Sequence, residues 1–199
     1  MYPLIETICI KNGVVQNLEY HQKRVEKSIR ELSPKICCFQ LIDLIENNPT
    51  QLKNTVRCRI EYTDISTKID YLQYQPRKIE RLKLIFSDQI DYHLKFANRS
   101  ELDKLTMLKE DCDEILIVKK GWLTDTSFTN IVFCKDNRFV TPKYPLLCGT
   151  RRQYLIDKGI LQEQEIAYND LKKFESVILI NAMLDLNIER KINIKNIVI

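Results

Sequence analysis

Apolar residues recur at every second position in several short stretches of this chain, and at helical spacing in a few others. Residues 4–10 and 14–18 read as strands around Lys11-Asn12-Gly13, and Asn-Gly between extended apolar runs is a strong hairpin signal. A helix is expected over 19–32, with Tyr20, Val25, Ile29 and Leu32 forming an irregular stripe that Ser33-Pro34 stops. A second helix is expected over 39–47, closed by Asn-Asn-Pro. Val56, Cys58, Ile60 and Tyr62 alternate in a strand over 54–62, and 66–75 alternates again as its partner. Gln75-Pro76-Arg77-Lys78 then breaks the pattern, so we expect a small N-terminal α/β domain over 1–76 and a larger domain over 77–199.

In the larger part, residues 82–86 read as a strand and 100–111 as a helix with Leu102, Leu105 and Leu108 on one stripe. Residues 114–118 and 122–124 form a hairpin around Lys119-Lys120-Gly121, and 131–133 and 138–140 another around Lys135-Asp136-Asn137. A helix over 150–158 ends at Gly159, residues 171–174 make a short helix or turn, 177–180 is a strand, and 190–199 a terminal strand pair or tail. Antiparallel hairpins mixed with helices place the chain in the α+β class, the larger domain being mostly antiparallel β with helices.

Composition narrows the function. Of 199 residues 44% are hydrophobic, enough for a core, and the formal net charge is only +4 with Lys and Arg dispersed. A nucleic-acid footprint wants a basic face, and none stands out. No apolar run approaches the ~20 residues of a membrane helix, and the N-terminus, which carries Glu6, is not a secretory signal. Seven cysteines, an odd number without a CxxC pair, suit a reducing cytoplasm and no disulfides. Two histidines far apart in sequence give no zinc signature, so no metal is expected.

The densest chemistry lies in residues 122–133, WLTDTSFTNIVF. A strand ends there in Thr124, Asp125, Thr126, Ser127, Thr129 and Asn130 before an apolar strand resumes. Buried polar groups must find partners, and one acid among hydroxyls suits a cationic heterocycle. Thirty residues upstream, Lys95 follows an extended segment and precedes a helix opening at Asn98–Ser100. A desolvated lysine there can act as an amine nucleophile, although a surface lysine reads the same way. Arg24 of His21-Gln22-Lys23-Arg24 carries a planar fork suited to phosphate, with His21 as its support or a further contact. Gly149-Thr150 opens a helix, where backbone N–H groups attract anions.

Taken together, these segments resemble the class IV aminotransferase family, the pyridoxal-phosphate enzymes of fold type IV. The resemblance covers roughly Glu6 to Met183 and is carried by Lys95-Phe96-Ala97-Asn98-Arg99, Thr124-Asp125, His21-x-x-Arg24, Gly149-Thr150-Arg151 and Asn181-Ala182-Met183. The Lys-x-x-Asn-Arg and Asn-Ala-Met segments are most like those of aminodeoxychorismate lyases. The resemblance implies pyridoxal 5'-phosphate as cofactor, Lys95 as its Schiff-base lysine and acid/base, and Asp125, in place of the usual Glu, at the pyridine nitrogen. It implies a phosphate cup of Arg24, Gly149, Thr150, Asn181 and Ala182. Glu6 and Asn98 are expected near the substrate, a small molecule bearing an amine. The implied reaction converts 4-amino-4-deoxychorismate to 4-aminobenzoate and pyruvate, a step of folate biosynthesis. Transamination of branched-chain or D-amino acids, or a non-catalytic binding relative, are the alternatives. A homodimer follows from the same likeness, in the cytoplasm that the cysteines suggest. Family members usually start with an extra hairpin before the first strand seen here, which implies a more open site mouth.

Overall fold

The computed structural model describes residues 3–34, 38–45 and 54–199. Two compact units emerge: residues 1–76 with 94–98, and residues 77–93 with 99–199.

In the first unit β1 (Leu4–Lys11) turns into β2 (Val14–Val15). The turn residues Asn12 and Gly13 both take positive φ, 48° and 79°, the left-handed pair that a two-residue hairpin needs. Two helices, α1 (Leu18–Leu32) and α2 (Leu41–Leu44), lead to β3 (Thr55–Tyr62) and β4 (Thr67–Gln73). The sheet order is β2-β1-β3-β4, antiparallel throughout. Period-two alternation buries Val56, Cys58, Ile60 and Tyr62 of β3. Helix α1 turns His21, Val25, Ser28 and Ile29 inward, and Val25 and Ile29 pack on Leu4, Ile8 and Ile10 of β1. Residues 94–98 complete this unit. Phe96 bridges to Leu4, Ile5 N–H donates to the Lys95 carbonyl at 2.8 Å, and Leu94 enters the same core. Strand β2 is shorter than 14–18 because Asn17, at φ 49°, already caps α1. The helix expected over 39–47 is a single turn ending at Leu44, where Ile45 is extended; its last two positions lie outside the described residues.

The second unit contains two sheets. One has the order β13-β5-β6-β7 and the other β10-β9-β8-β11-β12. Their strands are β5 (Leu82–Phe86), β6 (Glu114–Lys119), β7 (Trp122–Thr126), β8 (Asn130–Lys135), β9 (Arg138–Pro142), β10 (Gln162–Gln164), β11 (Ser176–Ile180), β12 (Ile192–Asn193) and β13 (Ile197–Val198). Pairing is mostly antiparallel, but β5 lies parallel to β6 and β13, and β9 to β10. Leu82, Leu116 and Val118 of the first sheet pack on Ile131, Phe133 and Val177 of the second. The second sheet's other face, with Val132 and Ile178, is covered by Leu155 and Leu161 of the segment around α4 (Thr150–Asp157). Burial on both faces explains why β8 reads as a continuous apolar run rather than an alternating one. Helix α3 (Ser100–Thr106) stops short of the expected 111, continuing as a 3-10 turn over Met107–Lys109. Leu102 is buried, but Leu108 is exposed, because the tighter turn rotates it off the stripe.

These units together form an α+β fold. No helix among the described residues is long and apolar enough to cross a membrane. No disulfide joins the six described cysteines to one another.

Candidate active site

The expected site residues fall into two groups, one in each unit. In the first unit the alternation of β1 puts Glu6 on the same face as Leu4 and Ile8, so its carboxylate lies beneath α1 and is fully buried. A bare carboxylate there would be costly. Arg24 resolves this from α1: its Nε donates to Glu6 Oε1 at 2.8 Å and its Nη2 to Oε2 at 2.5 Å. His21 Nδ1 meets the same Oε2 at 2.6 Å. Burial alone would raise the Glu6 pKa, but the Arg24 charge and the bonds from His21 and Arg24 outweigh it and bring it down to about 2. Burial lowers the His21 pKa, with the nearby Arg24 and Lys95 charges adding to it. Glu6 is thus a support for Arg24, placed under the helix and not on an open substrate face. The Arg24 side chain remains only 13% exposed, with the plane of its fork fixed by a two-point contact.

Lys95 sits in the segment pinned to β1. Its carbonyl is held by Ile5 N–H, and the next turn is closed by Ala97 N–H to the Pro3 carbonyl at 2.9 Å. The side chain is half-buried and its charge reaches His21. Lys95, His21, Arg24 and Glu6 therefore share one electrostatic neighbourhood. Asn98 is exposed.

In the second unit Asp125 is 4% exposed on β7. Its Oδ1 accepts from Asn130 Nδ2 at 2.8 Å, and its Oδ2 from Leu147 N–H at 2.9 Å. Burial pushes its pKa up to about 6; the Leu147 and Asn130 bonds and the Arg152 charge pull the other way without cancelling it. The acid therefore ties the strand corner to the loop leading into α4. Asn130 doubles the tie by donating to the Leu147 carbonyl at 2.9 Å. Gly149 packs directly on Asn130: a Cβ at residue 149 would stand 1.9 Å from Asn130 Oδ1. Thr150 begins α4 and is buried.

Hydroxyls at the corner serve its own backbone. Thr124 Oγ1 donates to the Ile117 carbonyl at 2.9 Å, and Thr126 Oγ1 accepts from Thr129 N–H at 3.0 Å. Three side chains brace the turn from outside. Arg99 Nη2 donates to the Ser127 carbonyl at 2.9 Å, and buried Glu114 accepts from Ser127 N–H at 3.4 Å. Asn181 Nδ2 donates to the Phe128 carbonyl at 3.2 Å. Asn181 Oδ1 also accepts from the N–H groups of Met183 and Leu184, at 2.8 and 3.0 Å, so Asn181 and half-buried Ala182 form a tight turn beside the corner.

Asp125, Asn130, Gly149, Thr150 and Asn181 are thus built into one cluster. Asn130 belongs to the polar cluster expected at the corner but was given no role there, and Glu114 and Arg152 carried no expectation of a role. The Asp125-x4-Asn130 spacing was a usable signal for the first. Arg152 is 2% exposed and anchors α4 to the Pro142 carbonyl at 2.9 Å and to Glu163 at 2.6 Å, with no sequence cue, since nothing marks Glu163 as its partner.

The chain matches the amino-transferase class IV family over residues 3–188. An uncharacterised Haemophilus influenzae protein is 41% identical over 186 residues, 92% of this chain and 98% of its own length. The aminodeoxychorismate lyase of Saccharomyces cerevisiae is 34% identical over 80 residues, 37% of this chain and 21% of the yeast protein. A solved structure from Haemophilus somnus 129PT, a candidate 4-amino-4-deoxychorismate lyase, has a TM-score of 0.87 at 38% identity, covering 94% of this chain and 98% of that one. A hypothetical Mycobacterium tuberculosis aminotransferase in its PLP-bound form shares the fold, with a TM-score of 0.79 at 14% identity and coverage of 98% and 81%.

Proposed function

We propose the aminodeoxychorismate lyase reaction for this chain, which belongs to the class IV aminotransferase family and has the fold type IV architecture of that family. The observation that carries the reading is Lys95, held on a backbone pinned to β1, its charge felt by the buried Glu6–His21–Arg24 group.

The residues present fit pyridoxal 5'-phosphate. Asp125 is a buried acid whose ionisation is opposed by burial, and a protonated pyridine nitrogen is the cation that would relieve this. Arg24 is a guanidinium oriented in advance, and Gly149-Thr150 open a helix, whose first-turn N–H groups lack intrahelical partners. In this proposal Lys95 holds the cofactor, Asp125 serves the pyridine nitrogen, and Arg24, Gly149, Thr150, Asn181 and Ala182 serve the phosphate. When bound, the cofactor supplies an electron sink for a carbanion at the substrate. Lys95 removes the proton from the aminated ring carbon of 4-amino-4-deoxychorismate. The enolpyruvyl C–O bond breaks, the departing enolpyruvate takes a proton at its methylene carbon from Lys95 to become pyruvate, and the ring becomes the aromatic ring of 4-aminobenzoate. Glu6 and His21 contribute by holding Arg24 still, since a fixed fork spends less entropy on binding phosphate. Asn130, Arg99 and Asn181 keep the corner carrying Asp125 from shifting.

This assignment places the protein in folate biosynthesis, as a cytoplasmic homodimer acting on a small amine substrate. The test is to incubate the purified chain, loaded with pyridoxal phosphate, with chorismate aminated by a partner synthase, and separately with amino acids and 2-oxoglutarate. 4-Aminobenzoate formation is the expected result. Keto-acid formation without 4-aminobenzoate replaces the lyase reading with transamination, and a protein that stays colourless with added cofactor points to a non-catalytic relative.

A further inference from the structure

We propose that the second unit contains another small-molecule site, separate from the cluster around Asp125, that takes a single-ring aromatic anion. A cavity of about 420 Å³ lies along β7 between residues 91–93, the β6–β7 turn and residues 144–146. That is within the ~300–1,000 Å³ of small-molecule pockets.

The lining has two kinds of surface. Trp122 and Tyr144 form an aromatic wall, with ring centroids 6.0 Å apart and planes inclined at 60°. The ring of Tyr92 adds to it, only 6% exposed and backed by the Arg99 guanidinium 5.8 Å from its centroid. Lys120 and Lys119 supply positive charge from the turn, Lys119 with its Nζ also donating to the Ile90 carbonyl at 2.5 Å. The turn is fixed by Lys120 N–H donating to Asp88 Oδ1 at 2.6 Å, so these cations are presented on a held backbone. The lining's one acid, Asp91, is engaged by His93 Nδ1 at 2.7 Å, and the Thr124 hydroxyl is committed to the Ile117 carbonyl. What the cavity offers an occupant is ring surface and ammonium groups. An aromatic carboxylate uses both: its ring lies against the indole and phenol, and its charge meets the lysines. The two lysines outnumber Asp91 in the lining, which favours an anion, and a small aliphatic anion would leave the ring surface wet.

The cavity lies beside the acid cluster without including any of its members. Thr124 and Leu146 of its lining are the chain neighbours of Asp125 and Leu147, the pair joined at 2.9 Å. An occupant therefore bears on the strand and loop that set the position of the acid.

Trp122 is the only tryptophan in the chain, so its emission reports this cavity alone. The full chain is titrated with benzoate, with benzyl alcohol as a neutral ring and acetate as a ringless anion. Benzoate is expected to change Trp122 emission saturably and to bind at least about tenfold more tightly than either control. Lys120→Glu, a change at an exposed side chain, is expected to weaken benzoate about tenfold while leaving benzyl alcohol unchanged. Lys119→Met is a second probe of the charge, and Lys95→Ala is expected to bind benzoate like the parent. Absence of a saturable change overturns the proposal, as does an equal response to all three probes or benzoate binding that survives both lysine variants. A response lost in Lys95→Ala reassigns the signal to the proposed cofactor site.

Discussion

Asp125 is a carboxyl group that the fold keeps close to the edge of ionisation, with its pKa up at about 6, and Glu6 is one driven down to about 2. Opposite pH signatures follow. For Asp125 the folded value lies above the ordinary 3.8, so the folded state binds more protons in that window and loses stability as pH rises through it. The stability of the parent relative to Asp125→Asn should therefore fall between pH 3.8 and about 6, read from denaturant midpoints in the absence of cofactor. A pH-independent difference would contradict the burial argument. For Glu6 the folded value lies below the ordinary 4.5. Its advantage over Glu6→Gln is full above pH 4.5 and disappears as pH falls toward about 2. An advantage that persists at the acid end would mean that Arg24 and His21 are not what holds the carboxylate. Residue placements were only partly legible in the sequence. Lys95, Asp125 and Arg24 stood out through motif spacing, whereas the place of Glu6 under α1 follows from which face of β1 packs on the helix. That face is settled by Leu4, Ile8 and Ile10 together, and not by Glu6 itself.

Between elements, the corner from β7 to β8 is joined to the loop before α4 by two side chains and one glycine. Gly149→Ala places a Cβ 1.9 Å from Asn130 Oδ1, and Asn130 is 5% exposed with its amide committed to Asp125 and Leu147. The substitution should cost about 1–3 kcal/mol. In an Asn130→Ser background the obstruction is gone, so the second change should cost less than in the parent. Strict additivity of the two would show that residues 130 and 149 do not press on each other. The hairpin turns were readable because Asn12-Gly13 and Lys120-Gly121 take positive φ at both positions. The parallel β9–β10 pair was not readable, because β10 is three exposed polar residues with no alternation. It is positioned by hydrogen bonds to β9 and by the buried Arg152 bridge to Glu163. The expected stripe of α3 failed at Leu108 for a local reason: the tighter 3-10 turn over Met107–Lys109 rotates it outward.

For the whole chain, the two compact units do not divide at one point. Residues 94–98, which carry Lys95, belong with the small unit, and Leu94 is part of its core at 4% exposure. A domain of residues 1–76 is therefore incomplete, and we propose that 1–76 expressed alone lacks a cooperative melting transition. Appending a peptide of residues 90–99 through a flexible linker should restore one. A cooperative transition in 1–76 alone would show that the returning segment is dispensable. The α+β class and the family were legible in hairpin signals and motif order, since both depend on local pattern. The return of 94–98 was not, because it depends on pairing across about ninety residues, from Leu4 to Phe96.

The central claim is that this chain holds pyridoxal phosphate through Lys95. Its most direct test is to incubate the protein with the cofactor, reduce with borohydride, digest, and locate the pyridoxyl group by mass spectrometry. The account predicts near-complete labelling of the Lys95 peptide and its loss in Lys95→Ala, with the other lysines unmodified. Absence of an adduct, or labelling of comparable extent in Lys95→Ala, would contradict it.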